Sequence, residues 1–137
     1  MSSVRRILVA EDNHDHALLT LDALEPSFDG DTDVRVARDG REALSLMLDE
    51  QWVPDLLLLD IQMPIVDGFE VLRRVKDDER LRSVAVVMLT SSADERDICR
   101  SLGYGTERFL TKPADATALR ELVSQILSRS SRVEVNP

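Results

Sequence analysis

Asp55-Leu56-Leu57-Leu58-Leu59-Asp60 is the stretch on which the fold turns. Four consecutive leucines, without the polar alternation of a half-solvated strand, suit a short strand buried on both faces. Three further apolar runs rich in branched residues read the same way: Val4 to Ala10, Val34 to Ala37 and Val84 to Leu89. A weaker fifth lies around Phe109 to Thr111. Between the runs the apolar spacing turns helical, clearest where Leu119, Leu122, Val123, Ile126 and Leu127 repeat at i, i+3, i+4, i+7 and i+8. Ala43, Leu44, Met47 and Leu48 give that pattern earlier, as do Phe69, Leu72 and Val75. Strand and helix alternating five times predict parallel strands joined by right-handed crossovers, a doubly wound α/β domain. The joints carry fitting punctuation, with Asp39-Gly40 before the second helix and Asp67-Gly68 at the third. Ser91 to Asp94 supply caps for the fourth, and Lys112-Pro113 precede the fifth.

A chain of 137 residues is the size of one domain, expected here over 1–137 with a core from about 4 to 128 and a polar tail over 129–137. Glu25 to Asp33 read as a polar loop, and nothing after the fifth helix is long enough for an output domain. Hydrophobic residues at 43% and charged residues at 31% argue against disorder and against a membrane span. A formal net charge of -9, from 26 acidic and 17 basic residues, repels nucleic acid and anionic lipid. Cys99 is the single cysteine, which fits a reducing compartment, and the short apolar run after MSSVRR suits a strand rather than a signal peptide. The expectation is a cytoplasmic protein.

Ligands of open α/β sheets bind at the carboxyl ends of the strands. Here the first strand ends in Glu11-Asp12, the third in Asp60, the fourth in Thr90 and the fifth in Lys112. Taken singly each has a plain structural explanation: Asp12 or Asn13 as a helix cap, Asp60 as a turn residue, Thr90 as a cap. Taken together they bring three carboxylates to one edge, which would repel one another unless a cation offset them, and Lys112 is one charge. Mg2+ is the natural complement, because it takes a few carboxylate oxygens, a carbonyl and several waters. Asp60 is then a carboxylate nucleophile that can accept a phosphoryl group. Lys112 and the metal would offset phosphoryl charge, and the Thr90 hydroxyl would hydrogen-bond a phosphoryl oxygen.

These residues sit in stretches that resemble the receiver domain of bacterial two-component response regulators. The matching stretches are Ile7-Leu-Val-Ala-Glu-Asp-Asn13, Asp39-Gly-Arg-Glu-Ala-Leu44, Asp55-Leu-Leu-Leu-Leu-Asp-Ile-Gln-Met-Pro-Ile-Val-Asp-Gly-Phe69, Val87-Met-Leu-Thr-Ser91 and Phe109-Leu-Thr-Lys-Pro113. They run in the family's order from about Arg5 to Leu127. The resemblance implies a flavodoxin-like, CheY-like fold, a five-stranded parallel sheet of order 2-1-3-4-5 with five helices. It implies Asp60 as phosphoacceptor, Asp12 as a direct metal ligand, Glu11 as a ligand through water and the Gln62 carbonyl as another, with Mn2+ as a substitute for Mg2+. Lys112 and Thr90 contact the phosphate, Pro113 follows a cis peptide, and Gly68 has a structural role. Thr90 and Phe109 form the switch that alters the surface of the fourth helix, fifth strand and fifth helix. For Phe109, plain core packing is an equal reading. Gln62 and Ser92 stand at positions that set the lifetime of the acyl phosphate.

The resemblance implies a stand-alone signalling switch, not an enzyme beyond self-catalysed phosphotransfer and autodephosphorylation. Its partners are a sensor histidine kinase or histidine phosphotransfer protein and an unidentified downstream protein, with a homodimer left open and no nucleic acid or membrane. Photoreceptor-linked kinases are among the sensors with such partners. Three other readings compete. An Asp-nucleophile phosphatase would carry Asp-x-Asp and a cap domain, and a flavin mononucleotide binder would need phosphate donors where Glu11-Asp12 stand. A pseudo-receiver docking module would lack the chemical residues that are present here. His14 and His16 read as solvated helix residues without a role, Cys99 as helix packing and Trp52 as a packing or loop anchor. Arg73, Arg74, Arg80, Arg82, Arg96 and Arg100 read as solvated helix faces, with partner docking as a second reading for those on the fourth helix.

Overall fold

The computed structural model describes residues 5–28, 30–90, 109–111 and 116–135. The chain runs β1 (Arg6–Ala10), α1 (His14–Leu24), a 3-10 turn (Glu25–Ser27), β2 (Asp33–Ala37) and α2 (Gly40–Leu44), which continues as a π-helical turn (Ser45–Asp49). It goes on through β3 (Leu56–Asp60), α3 (Gly68–Asp77), β4 (Ala85–Thr90), β5 (Phe109–Thr111) and the last helix, α4 (Ala116–Val135). The strands form one parallel sheet of order β2-β1-β3-β4-β5. This is the expected doubly wound order, with each strand placed within two residues of its apolar run. The segment 91–108, where the fourth helix was expected together with Cys99, Arg96 and Arg100, lies outside the described residues.

Side chains alternate across a strand, so β1 and β3 feed two cores. Leu8, Ala10, Leu57 and Leu59 face α2 and α3, where Ala43, Leu44, Val71, Leu72 and Val75 close over them. Ile7, Val9, Leu56 and Leu58 face α1 and α4, meeting Leu24, Leu119 and Val123. All four leucines of β3 are fully buried, and each such side chain contributes about 1.5–3 kcal/mol by leaving water. Asp60 therefore sits at the end of a fully buried strand in the middle of the sheet.

Two expectations need correction. The run at β2 is not buried on both faces: Arg35 and Val36 are exposed, because β2 is an edge strand of the sheet, while Ala37 alone is fully buried. The polar stretch over 129–137 is not an irregular tail, since α4 continues as helix to Val135. No glycine or proline falls between Ala116 and Asn136 to stop it.

The helix starts follow the punctuation. Asn13, Asp39 and Asp67 are the N-caps of α1, α2 and α3, accepting from the backbone N–H groups of His16, Glu42 and Glu70. At α3 the Arg73 guanidinium hydrogen-bonds Glu70 and holds its carboxyl below the ordinary carboxylate range. Trp52 is buried, as a packing anchor should be, with the Arg35 guanidinium 4.6 Å and that of Arg6 5.7 Å from its ring centroid. Among the described residues no helix is long and apolar enough to cross a membrane.

Candidate functional site

The site grows from the carboxyl ends of the two central strands. Beyond β1, the Glu11 N–H donates to the Ala37 carbonyl at 2.9 Å, which extends the β1–β2 ladder by one residue and turns the Glu11 side chain inward. Glu11 is buried and Asp12, next in the chain, is exposed. Asp60 closes β3 opposite Leu89 and is likewise buried. One carboxylate oxygen from each of Glu11, Asp12 and Asp60 lies within 4.8 Å of the other two. Residues 49 positions apart are thus converged on one point by the sheet, as their strand-end positions predict.

The backbone around the acids fixes them. The Asn13 N–H donates to Glu11 Oε2 at 3.3 Å, and the Gln62 N–H donates to Asp60 Oδ1 at 3.3 Å. Three carboxylates this close repel one another, and two of them have little water to spread their charge. A hard divalent cation suits this donor set: three carboxylate oxygens, one of them on an exposed residue that leaves a side open to water. Mg2+ and Mn2+ both fit that chemistry.

Two glycines let the loops crowd around Asp60. A Cβ on Gly68 would stand 2.5 Å from the Asp60 carbonyl oxygen and 2.6 Å from Ile61 Cα, so only glycine lets α3 begin this close to β3. The Gly68 N–H uses that approach to donate to the Ile61 carbonyl at 2.8 Å. A Cβ on Gly40 would stand 2.1 Å from the Val66 carbonyl oxygen, so α2 starts in contact with the loop after Asp60. The Gly40 approach was not read from sequence, where Asp39-Gly40 signalled only a helix start.

That loop also carries strain. Ile65 has a φ of 69°, left-handed for a β-branched residue, and the Val66 N–H donates back to the Pro64 carbonyl at 2.8 Å across a γ-turn. Ile65 is 76% exposed, so little packing offsets the strain. Ile65→Asn is expected to stabilise the protein by about 1 kcal/mol, because asparagine tolerates this conformation. Urea denaturation measures it; an unchanged or lower midpoint would mean that the turn is not strained.

The remaining candidates divide. The backbone of Thr90 ends β4 and pairs with Thr111, and the backbone of Phe109 pairs with Met88. Thr90 is thereby carried to the same sheet edge as Asp60. Lys112, Pro113 and Ser92, with Ser91, lie outside the described residues. His14 and His16 are both exposed on the first turn of α1, as solvated helix residues should be, and the His16 Nδ1 lies 4.0 Å from Glu11 Oε1.

With this geometry in hand, comparison with known proteins is informative. The family described as response regulator receiver domain matches residues 7–124. The polar-differentiation response regulator DivK of Brucella ovis is 36% identical over 123 residues, covering 90% of this chain and 96% of DivK. Among solved structures, the bacteriophytochrome response regulator AtBRR is 40% identical with a TM-score of 0.78, over 93% of this chain and 94% of that one. The Mn2+-bound form of response regulator Rcp1 is 31% identical with a TM-score of 0.72, over 90% and 92% of the two chains.

Proposed function

This chain belongs to the response regulator receiver domain family, and on that premise we propose that it accepts a phosphoryl group on Asp60 in a reaction that depends on Mg2+. The convergence of Glu11, Asp12 and buried Asp60 within 4.8 Å carries the reading. The Mn2+-bound state of the similar protein Rcp1 supports it. Asp12 and Asp60 would ligate the cation directly, Glu11 through water, and the Gln62 carbonyl would complete the protein's share. A cation held there offsets the charge of the carboxylates and of the incoming phosphoryl oxygens.

The residues of the chain then have separate tasks. An Asp60 carboxylate oxygen attacks the phosphorus of a phosphohistidine donor, in line with the P–N bond. A P–O bond forms as the P–N bond breaks, and the bonding pair leaves on the imidazole nitrogen, which takes up a proton from solvent. The product is an acyl phosphate on Asp60 and a free histidine on the donor. The β3 ladder and the Gln62 N–H hold the nucleophile in place during this exchange. Lys112 and the Thr90 hydroxyl are assigned to the phosphoryl oxygens, and water later hydrolyses the acyl phosphate at a rate set from positions Gln62 and Ser92. Thr90 and Phe109 are assigned to a two-state switch that remodels the surface of β5 and its neighbouring helices for a protein partner. The likeness to a bacteriophytochrome response regulator makes photoreceptor-linked histidine kinases the first donors to try.

Incubation with Mg2+ and acetyl phosphate tests the reading. Acid-labile, hydroxylamine-sensitive phosphate should appear on the protein and fail to appear when EDTA is present. Labelling that is indifferent to EDTA, or none under any condition, would overturn it.

A further inference from the structure

We propose that Ile65 determines which phosphodonors this chain uses, as an apolar anchor for a protein that carries phosphohistidine and with no part in transfer from small donors; this rests on the reading of Asp60 as the phosphoacceptor. Ile65 is 76% exposed, the most exposed of the large hydrophobic residues among those described. It stands five positions after Asp60, on the loop that the Gly68 N–H pins to the Ile61 carbonyl at 2.8 Å, beyond the carboxyl end of β3. A second cost falls on the same residue, since its φ of 69° is one that β-branched side chains rarely adopt. An exposed apolar side chain on a strained turn adds little to the stability of the folded chain. Such strain clusters where a protein engages a ligand or partner.

The surroundings suit an apolar contact. Ile65 lines a hollow of about 410 Å³ together with Val66 and Phe69, both half-buried, and with Asp67, Glu70 and Arg73. The Arg73 guanidinium is hydrogen-bonded to Glu70 and the Asp67 carboxylate accepts the Glu70 N–H, so these charges have partners within the chain and need none from an occupant. Apolar side chains among satisfied polar ones are the make-up of an interface anchor. The occupant follows from the reaction. Transfer brings the donor's phosphorus into contact with Asp60, in line with the bond that breaks. A phosphohistidine on a protein arrives with the surface that bears it, and that surface comes down over the carboxyl edge of the sheet, where Ile65 is exposed. Taking the isoleucine out of water there favours the complex from which transfer occurs. Acetyl phosphate and phosphoramidate bring no such surface and leave Ile65 in water.

Labelling of wild type, Ile65→Asn and Ile65→Leu in Mg2+ tests the proposal, with three donors: acetyl phosphate, phosphoramidate, and whichever autophosphorylated histidine kinase of the source organism labels wild type fastest. With the kinase, kcat/KM for transfer should fall about tenfold for Ile65→Asn and stay within about threefold of wild type for Ile65→Leu, which keeps the apolar surface. The loss should lie in KM, with kcat little changed, because the contact is the same before and during transfer. With either small donor all three proteins should label at rates within about twofold of one another. Ile65→Asn is also the variant expected to be more stable, so its slower transfer does not come from unfolding. Equal transfer from the kinase to wild type and Ile65→Asn, an Asn variant slowed alike with every donor, or a Leu variant as slow as the Asn one overturns the anchor. So does wild type that small donors label and no kinase does. Wild type that no donor labels overturns the reading of Asp60 instead, so the two failures are distinguishable.

Discussion

Asp60→Asn is expected to take no phosphoryl group from acetyl phosphate and, without divalent cations, to be more stable than wild type. The first half follows from chemistry, because a carboxamide is not a nucleophile toward phosphorus under these conditions. The second follows from the geometry of the acids. At the 4.8 Å limit of the cluster, two unit charges repel by about 3–4 kcal/mol at an effective dielectric of about 20. Exposure of Asp12 and screening by salt reduce this, leaving a net gain of about 1–2 kcal/mol when the Asp60 charge is removed. Mg2+ should then stabilise wild type more than the variant and narrow the gap, since a ligand stabilises the state that binds it. Urea denaturation of both proteins with and without Mg2+ reads all of this. A variant less stable than wild type in both conditions would mean that the acids are not a mutually repelling site awaiting a cation.

Gly68→Ala is expected to cost about 3 kcal/mol, a large loss for one methyl group at the first residue of a helix. The added Cβ meets the Asp60–Ile61 backbone, the Asp60 carbonyl oxygen at 2.5 Å and Ile61 Cα at 2.6 Å, and neither can rotate away as a side chain could. Moving β3 would disturb four fully buried leucines paired to β1 and β4, so α3 must move instead. That shift strains the Gly68 N–H bond to Ile61 and the Asp67 cap that holds the first turn of α3. It also strains the loop between Ile61 and Gly68, which carries the Gln62 carbonyl proposed for the cation, so Mg2+ affinity should fall together with stability. Gly30→Ala is the matched control, with nothing within 4 Å of its Cβ and an expected change below about 0.5 kcal/mol. Equal effects at the two glycines would refute the close-approach argument.

Most of the fold was legible because a parallel sheet buried on both faces writes itself as apolar runs. Leu56 to Leu59 is the plainest case, and the caps Asp39 and Asp67 marked the helix starts without ambiguity. The outer strand was the exception. Val34 to Ala37 has the composition of a central strand, and only its place at the sheet edge leaves Val36 exposed. The end of the last helix was also misjudged, because polar residues past Leu127 read as a tail although nothing there interrupts a helix.

The acids of the site were legible from strand ends alone, since the residue after a buried run must emerge at the sheet edge. Glu11, Asp12 and Asp60 met as expected. The contribution of Gly40 was not legible, because its requirement comes from the Val66 carbonyl on a distant loop.

Locating the phosphoryl group tests the central claim most directly. Wild type labelled with acetyl phosphate and Mg2+ should be reduced with borohydride, which converts an aspartyl phosphate to homoserine, and its peptides sequenced by mass spectrometry. Homoserine at position 60, and its loss when Mg2+ is replaced by EDTA, is the predicted result. Homoserine at another aspartate with Asp60 unchanged, or labelling at position 60 that ignores the metal, would contradict the account.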